Sequence, residues 1–450
     1  MRTRPWFRVH SFAGVVTGLL LFIVCWTGTF ATVSHEIDWL LTPAVRAEPA
    51  ASFDPDAAER AALQAQPAGK LLWMAWPLHA GFAVDVVLKT PSSPMWRAYV
   101  DPASLQPQGG NTYFNVQRFF RSLHMSLFLK FGIGIYIVGA AGVVLLLSAV
   151  TPLVFFKRWW TKFLRFHPRG GARAVTSEAH KLAGLWSLWF VLLIAVTGIW
   201  YMAEQLLIDV ADAKFIYPPP PAFSGPAEPR LPLATFVQAA QAAAPALDIR
   251  TIGRAGNGLV YVNGQAGDLL VRDRATTLFF EPTTARIVEA RQAGDQGLAG
   301  RWVEAVDLLH FGTLAGLPTK LLWFFFGLAL SGLCLTGAYL HAARLAAAGA
   351  DKARWRAVGP ATLATLVLLG WTVQGGLAEA RRFGPVVSGH PTFPELPFSV
   401  LAFLAGWVAA TLGLLALWSF MVSRRGPASL PTSSLPSPRR EVATPAQADL

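Results

Sequence analysis

Residues 10–28 read HSFAGVVTGLLLFIVCWTG and residues 180–198 read HKLAGLWSLWFVLLIAVTG; each opens on a histidine, carries a glycine four residues on and closes on a Thr-Gly pair. The spacing from His10 to Thr27 and from His180 to Thr197 is 17 residues, and what lies between is almost wholly apolar. About 20 such residues cross the roughly 30 Å of hydrocarbon in a bilayer. The two stretches therefore read as equivalent membrane spans, and the chain as a tandem repeat.

Outward from these spans the repeat continues. Each leads into a long polar segment that ends in a matching turn, Val100-Asp101-Pro102-Ala103-Ser104 in the first and Phe280-Glu281-Pro282-Thr283-Thr284 in the second. Leu123-His124 and Leu309-His310 follow, each before another apolar run. The unit is span, module, span; it occurs twice and is followed by two further spans. Apolar stretches long enough to cross a bilayer fall at 12–34, 132–156, 182–202, 321–340, 360–377 and 398–422. The expected fold is mainly α, a polytopic membrane helix bundle of about six transmembrane helices with two small α+β extracytoplasmic modules.

This reading divides the chain into an N-terminus with the first span (1–34), a first outer module (35–130), a second span (131–156), a basic connection (157–181) and a third span (182–202). A second outer module (203–318), a fourth span (319–341), a loop (342–359), a fifth span (360–377), an outer loop (378–397), a sixth span (398–422) and a Pro/Ser/Ala tail (423–450), expected to be disordered, complete it. In the modules, helices are expected near 55–66 and 233–244 and strands at 82–89, 96–100 and 277–281. A hairpin of 258–263 with 267–272 is expected around Asn263-Gly264.

Composition agrees with a lipid solvent. Of 450 residues, 53% are apolar, 12% aromatic and only 14% charged, and the mean hydropathy is +0.42. The net charge of +12 gathers in short flanks of the apolar runs, without the interleaved aromatic stripe of a nucleic-acid surface, so no nucleic-acid partner is expected. Lys157, Arg158, Lys162, Arg165, Arg169, Arg173 and Lys181 lie between spans two and three; Arg344, Lys352, Arg354 and Arg356 lie between four and five; Arg424 and Arg425 follow the last span. By the positive-inside rule these, with Arg2, Arg4 and Arg8, mark the cytoplasmic side. A multi-pass membrane protein with both termini cytoplasmic is expected, in a bacterium one of the inner membrane. The run from Phe12 to Val33 is too long for a signal-peptide core and reads as an uncleaved span. Cys25 and Cys334, the only cysteines, fall inside apolar runs, which excludes Fe–S clusters and structural zinc.

The histidines carry the chemistry, because ionisable groups at membrane depth are costly. Four of nine sit in repeat register: His10 and His180 at the cytoplasmic ends of odd spans, His124 and His310 before even spans at the outer side. A lone histidine there usually snorkels or bonds a carbonyl; four in register suit haem, since imidazole ligates both axial faces without adding charge. His10 with His180 and His124 with His310 then form one metal-ligating pair per leaflet, with Gly14, Gly18, Gly132, Gly134 and Gly184 making room for a flat macrocycle. His341 and His35 are competing candidates, whereas His79, His167 and His390 read as surface residues. Glu36, Asp38, Glu204 and Asp209 at the outer ends of spans one and three could receive a metal or cationic chelate. No phosphate loop, dinucleotide fingerprint, HExxH pair or GxSxG elbow occurs in a supporting context.

His10-x3-Gly14 with Thr27-Gly28 and Glu36-Ile37-Asp38, Leu123-His124, His180-x3-Gly184 with Thr197-Gly198, and Leu309-His310-Phe311-Gly312 before Leu335-Thr336-Gly337 resemble the PepSY-associated transmembrane helix family. The resemblance covers about residues 6–345, and the modules resemble PepSY domains through the Asp101-Pro102 and Glu281-Pro282 turns. Thr151-Pro152 stands where the fourth span has Thr336-Gly337, a departure from the repeat. The family includes iron-regulated membrane proteins and ferric-siderophore reductases. The resemblance therefore implies two b-type haems and electron transfer from a cytoplasmic or quinol donor to a ferric-siderophore or other ferric chelate outside. The alternative expectation is a non-enzymatic PepSY-type regulator of an envelope peptidase; a transporter fits less well, because the spans hold almost no central charge or broken segment.

Overall fold

The computed structural model describes residues 4–166, 170–214, 216–228, 230–347 and 351–423; Arg2, His167, Arg169, Arg424, Arg425 and the tail from 424 onward lie outside the described residues. In chain order the first half holds α1 (Arg4–Val16), α2 (Gly18–Thr32), α3 (Ser34–Leu41), α4 (Pro55–Ala65), β1 (Lys70–Ala75), β2 (Val84–Thr90), β3 (Ser93–Val100), β4 (Pro107–Thr112), α5 (Val116–Ser126) and α6 (Phe131–Phe155). The second half repeats the order with α7 (Ala172–Trp186), α8 (Leu188–Ala211), α9 (Leu233–Ala243), β5 (Asp248–Arg254), β6 (Val260–Gln265), β7 (Thr276–Phe280), β8 (Ile287–Arg291), α10 (Leu298–Phe311) and α11 (Leu317–Ala347). Then come α12 (Asp351–Phe383), a short hairpin of β9 (Val386–Val387) with β10 (His390–Pro391), and α13 (Phe398–Ser423).

Among the described residues five helices, α6, α8, α11, α12 and α13, are long and apolar enough to cross a membrane, and α1 with α2 makes a sixth if that pair, bent by 68°, is one span. The protein is thus a multi-pass membrane protein whose lipid-facing helices satisfy their own backbone hydrogen bonds. The first span, read from sequence as continuous over 12–34, breaks at Thr17, whose hydroxyl donates back to the Ala13 carbonyl at 2.7 Å. Ser187, likewise seven residues beyond its histidine, donates to Ala183 and separates α7 from α8. Such hydroxyl bonds compete with the helical ladder and bend helices. The third span consequently starts its long helix at Leu188 and ends at Ala211, displaced from the 182–202 of the sequence reading.

The two outer modules, expected as separate units, share one sheet. Its eight strands run β4-β3-β2-β1-β5-β6-β7-β8, and β1 joins β5 antiparallel through Trp73↔Gly253, Met74↔Ile252 and Ala75↔Thr251. A Cβ at Gly253 would stand 2.5 Å from the Tyr261 hydroxyl and 2.8 Å from Trp73 Cβ, so only glycine lets the strands meet there. Ala58, Ala61 and Ala62 of α4 and Leu233, Phe236 and Ala240 of α9 pack over one sheet face in a single core with Met74, Val86, Ile252 and Val262. Asp56 of α4 accepts the amides of Leu233 and Ala234 at 2.6 and 2.9 Å, capping α9 across the module boundary.

Helices near 55–66 and 233–244 and the strands at 82–89, 96–100 and 277–281 form as expected. The hairpin at Asn263-Gly264 does not: β6 runs straight through both residues and pairs with β7 from Val260↔Phe280 to Gly264↔Thr276. Gly264 marks close strand contact, since a Cβ there would lie 2.2 Å from the Asp248 carbonyl oxygen. Sequence reading missed α5 and α10, the short helices that carry His124 and His310 between sheet and spans.

Candidate functional site

The bundle encloses two chambers, one toward the sheet and one toward the opposite end. The sheet-side chamber, about 350 Å³, is lined by His124 of α5, His310 of α10, Gly28, Tyr201 and Trp323 among others. The far chamber, about 390 Å³, is lined by His10 of α1, His180 of α7, Gly14, Gly184 and Gly337. The structure thus brings together both histidine pairs expected from the repeat. Leu21, Leu145 and Leu330 line both chambers and form the partition between them.

Each of the four imidazoles is anchored through Nδ1. His124 Nδ1 lies 2.9 Å from the Val24 carbonyl and His10 Nδ1 lies 3.1 Å from the Ser148 carbonyl. A carbonyl only accepts, so both Nδ1 atoms carry the proton. His310 Nδ1 lies 2.8 Å from the Thr197 hydroxyl, which donates to the Leu193 carbonyl at 2.8 Å. His180 Nδ1 lies 2.8 Å from the Thr336 hydroxyl, which donates to the Gly332 carbonyl at 2.7 Å. A hydroxyl bonded to its own helix in this way can accept from Nδ1–H. No Nε2 of the four has a hydrogen-bond partner among the described residues. A metal-ligating histidine is oriented in this way by a second partner on its other nitrogen.

The His124 and His310 ring centroids are 6.0 Å apart with planes inclined by 30°. Rings at this spacing would leave room between them for a metal centre bound through nitrogen bonds of ~2 Å. Gly28 is essential to the packing, because a Cβ there would fall 2.6 Å from His124 Cε1; Gly198, its repeat equivalent, faces open space. Burial pushes the His124 imidazole down and the His310 imidazole to about 3, which keeps both neutral and able to ligate. No group of three or more His, Cys, Asp or Glu donors exists among the described residues. A metal held by one imidazole pair alone would need its remaining donors from outside the protein.

Cations attend both chambers. Arg344, Arg173 and Lys181 line the far one, where Arg344 stacks on Phe7 at 4.5 Å and donates to Ser11 at 3.3 Å. Arg121 and Arg274 line the sheet-side one. These residues escaped sequence reading because nothing in the pattern separates them from ordinary flank charges. The threonines that orient His180 and His310 did leave a signal, as members of the Thr-Gly pairs at 336–337 and 197–198.

Of the other candidates, Glu204 lines the sheet-side chamber and the rest, His35 and His341 among them, line neither chamber. Burial and the nearby Lys320 hold His35 at about 3. His79, read as a surface residue, stands 3.5 Å from Glu36, which pairs with Lys320 at 2.5 Å. His390 is exposed on β10. Asp38 accepts the amides of Val116 and Gln117 at 3.0 and 2.9 Å, Asp209 accepts the Tyr136 hydroxyl, and Glu204 accepts Tyr217 and Trp200.

The sequence profile described as the PepSY-associated TM region matches residues 7–344, which includes both chambers and stops before α12. An uncharacterized protein of Pseudomonas aeruginosa is 28% identical over 261 residues, 52% of this chain and 65% of that relative. The chain thus spans a little under two thirds of that protein's length.

Proposed function

Since the chain belongs to the PepSY-associated transmembrane family, we propose that it is a haem-containing inner-membrane reductase that passes electrons across the bilayer to an extracytoplasmic ferric siderophore, releasing Fe(II) for uptake. One observation carries this reading: four repeat-related histidines, each anchored through Nδ1, line two chambers of the bundle as two pairs. The basic flanks favour an orientation with the far chamber toward the cytoplasm and the sheet outside. The donor is a cytoplasmic reductant or a quinol. Ferric ion is held by hard oxygen donors far more tightly than ferrous ion, so one-electron reduction weakens the chelate.

A b-type haem held by His10 and His180, and another by His124 and His310, would supply one-electron ferric/ferrous couples. The chain's own residues do the rest. Val24, Ser148, Thr197 and Thr336 anchor the rings through Nδ1. Leu21, Leu145 and Leu330 keep water from the partition, and Arg344, Arg173 and Lys181 offer partners to the carboxylates of a macrocycle.

Reduced-minus-oxidised spectra with pyridine haemochrome quantification test the reading on purified full-length protein, wild type against His124→Ala and His180→Ala. About two b-type haems per wild-type chain, with one lost in each variant, is the expected result. Wild-type protein without a Soret band after haem-replete expression would overturn it and favour the peptidase-regulator alternative.

A further inference from the structure

We infer that the C-terminal helices α12 and α13 brace α5, and that Glu379 is a positioning residue for His124 at the sheet-side chamber. The two helices lie beyond the region matched to the family, so the brace is an addition to the repeat. This inference rests on the haem reading only for its effect on a cofactor; the brace itself is argued from contacts.

Glu379, in the last turns of α12, accepts from Arg118 Nε and from the Ser122 hydroxyl at 2.6 Å each. Both donors lie on α5, and Ser122 precedes His124 by two residues. The guanidinium of Arg118 also lies over the Phe383 ring of α12 at 5.0 Å. From the other side Trp407 of α13 meets Phe120 at 5.1 Å and Phe119 at 6.1 Å between ring centroids. Phe120, Leu123, Leu127 and Phe128 share one core with Ala380, Phe383, Val400 and Trp407.

Beyond His124 the chain turns into α6 through Leu127 and Phe128, both at φ +53°. Non-glycine residues resist this left-handed conformation, and a consecutive pair persists only where the surroundings enforce it. The surroundings here are α12: a Cβ on Gly375 would stand 2.0 Å from the Phe128 carbonyl oxygen, and one on Gly376 3.2 Å from the Phe128 ring. The corresponding turn of the second half, after α10, uses Gly312 at φ +68° and touches Trp323 of its own α11. The first half thus has a strained turn and an external clamp where the second has a glycine.

The experiment compares wild type with Glu379→Leu and Glu379→Gln in full-length protein, by hydrogen exchange of α5 and α10 amides, haem retention on dilution, and electron paramagnetic resonance of the oxidised haems. Expected are faster exchange in α5 but not α10, about tenfold weaker retention of one haem, and a changed low-spin signal from that haem alone in Glu379→Leu. Glu379→Gln, which keeps an acceptor oxygen, restores most of each. Unchanged α5 exchange in Glu379→Leu overturns the brace. Wild-type protein without haem would instead defeat the haem reading, and α5 exchange would still decide the brace, so the two failures are distinct.

Discussion

Helices α5 and α10 occupy the same place in the two halves of the repeat and are held in opposite ways. Six residues before its histidine α5 carries Arg118 and α10 carries Glu304; three residues before, α5 carries Arg121 and α10 carries Asp307. The charges are exchanged, and so are the sources of their partners. Arg118 reaches a carboxylate 261 residues away on α12. Glu304 receives a two-pronged contact from Arg272 of its own module at 2.7 and 2.8 Å, and Asp307 receives Arg272 at 3.2 Å and the Tyr201 hydroxyl at 2.6 Å. An approximate repeat needs only the placement of the ligand; how the ligand's helix is tied down can diverge, provided each buried charge finds a partner.

The largest effect is expected from Trp407→Ala. Trp407 is 9% exposed and packs against Phe119, Phe120, Trp26 and Phe30, so truncation leaves a cavity worth about 3–5 kcal/mol. Hydrogen exchange of α5 should accelerate while α10 holds its protection; equal loss in both helices would mean that they are not independently supported. Next comes Glu304→Leu, which deprives the buried Arg272 of its bidentate partner but leaves Asp307, at a cost of about 3 kcal/mol. Its exchange signature should be the mirror image, with α10 released and α5 unchanged.

The smallest effect concerns pH. Burial raises the Asp38 carboxyl to about 6, even though it accepts two amides at the start of α5. A folded-state value above the unfolded one favours the protonated form in the fold, so this contribution is present below the ordinary carboxylate range and lost as pH rises through about 6. Lowering pH from 7 to 5 should therefore strengthen α5 by roughly 1 kcal/mol, read as slower exchange corrected for intrinsic rate. Asp38→Asn should flatten that dependence in α5, and α10, with no such cap, should show none of it.

Much of the site was legible because a repeat makes weak signals reinforce each other. His10, His180, His124 and His310 each mean little alone; their register grouped them in the same two pairs that line the two chambers. The breaks at Thr17 and Ser187 were less visible, because a single hydroxyl inside an apolar run alters neither hydropathy nor length. Gly264 misled, since glycine serves a turn and a close strand contact equally well and only the neighbouring Asp248 distinguishes them. Glu379 leaves no signal in a local pattern, because its partner Arg118 is 261 residues away.

The sequence by itself determined the solvent, the number and order of the spans, the duplicated unit and the identity of the four histidines. These depend on local properties: apolar length against bilayer thickness, charge in short flanks, and spacing within a repeat. Only the tertiary structure decided that the two modules close into one eight-stranded sheet, that three leucines separate the chambers, and that the added helices grip one half of the repeat. Those are pairings between distant segments, chosen by shape and by the demand that every buried polar group be satisfied, and no local pattern encodes them.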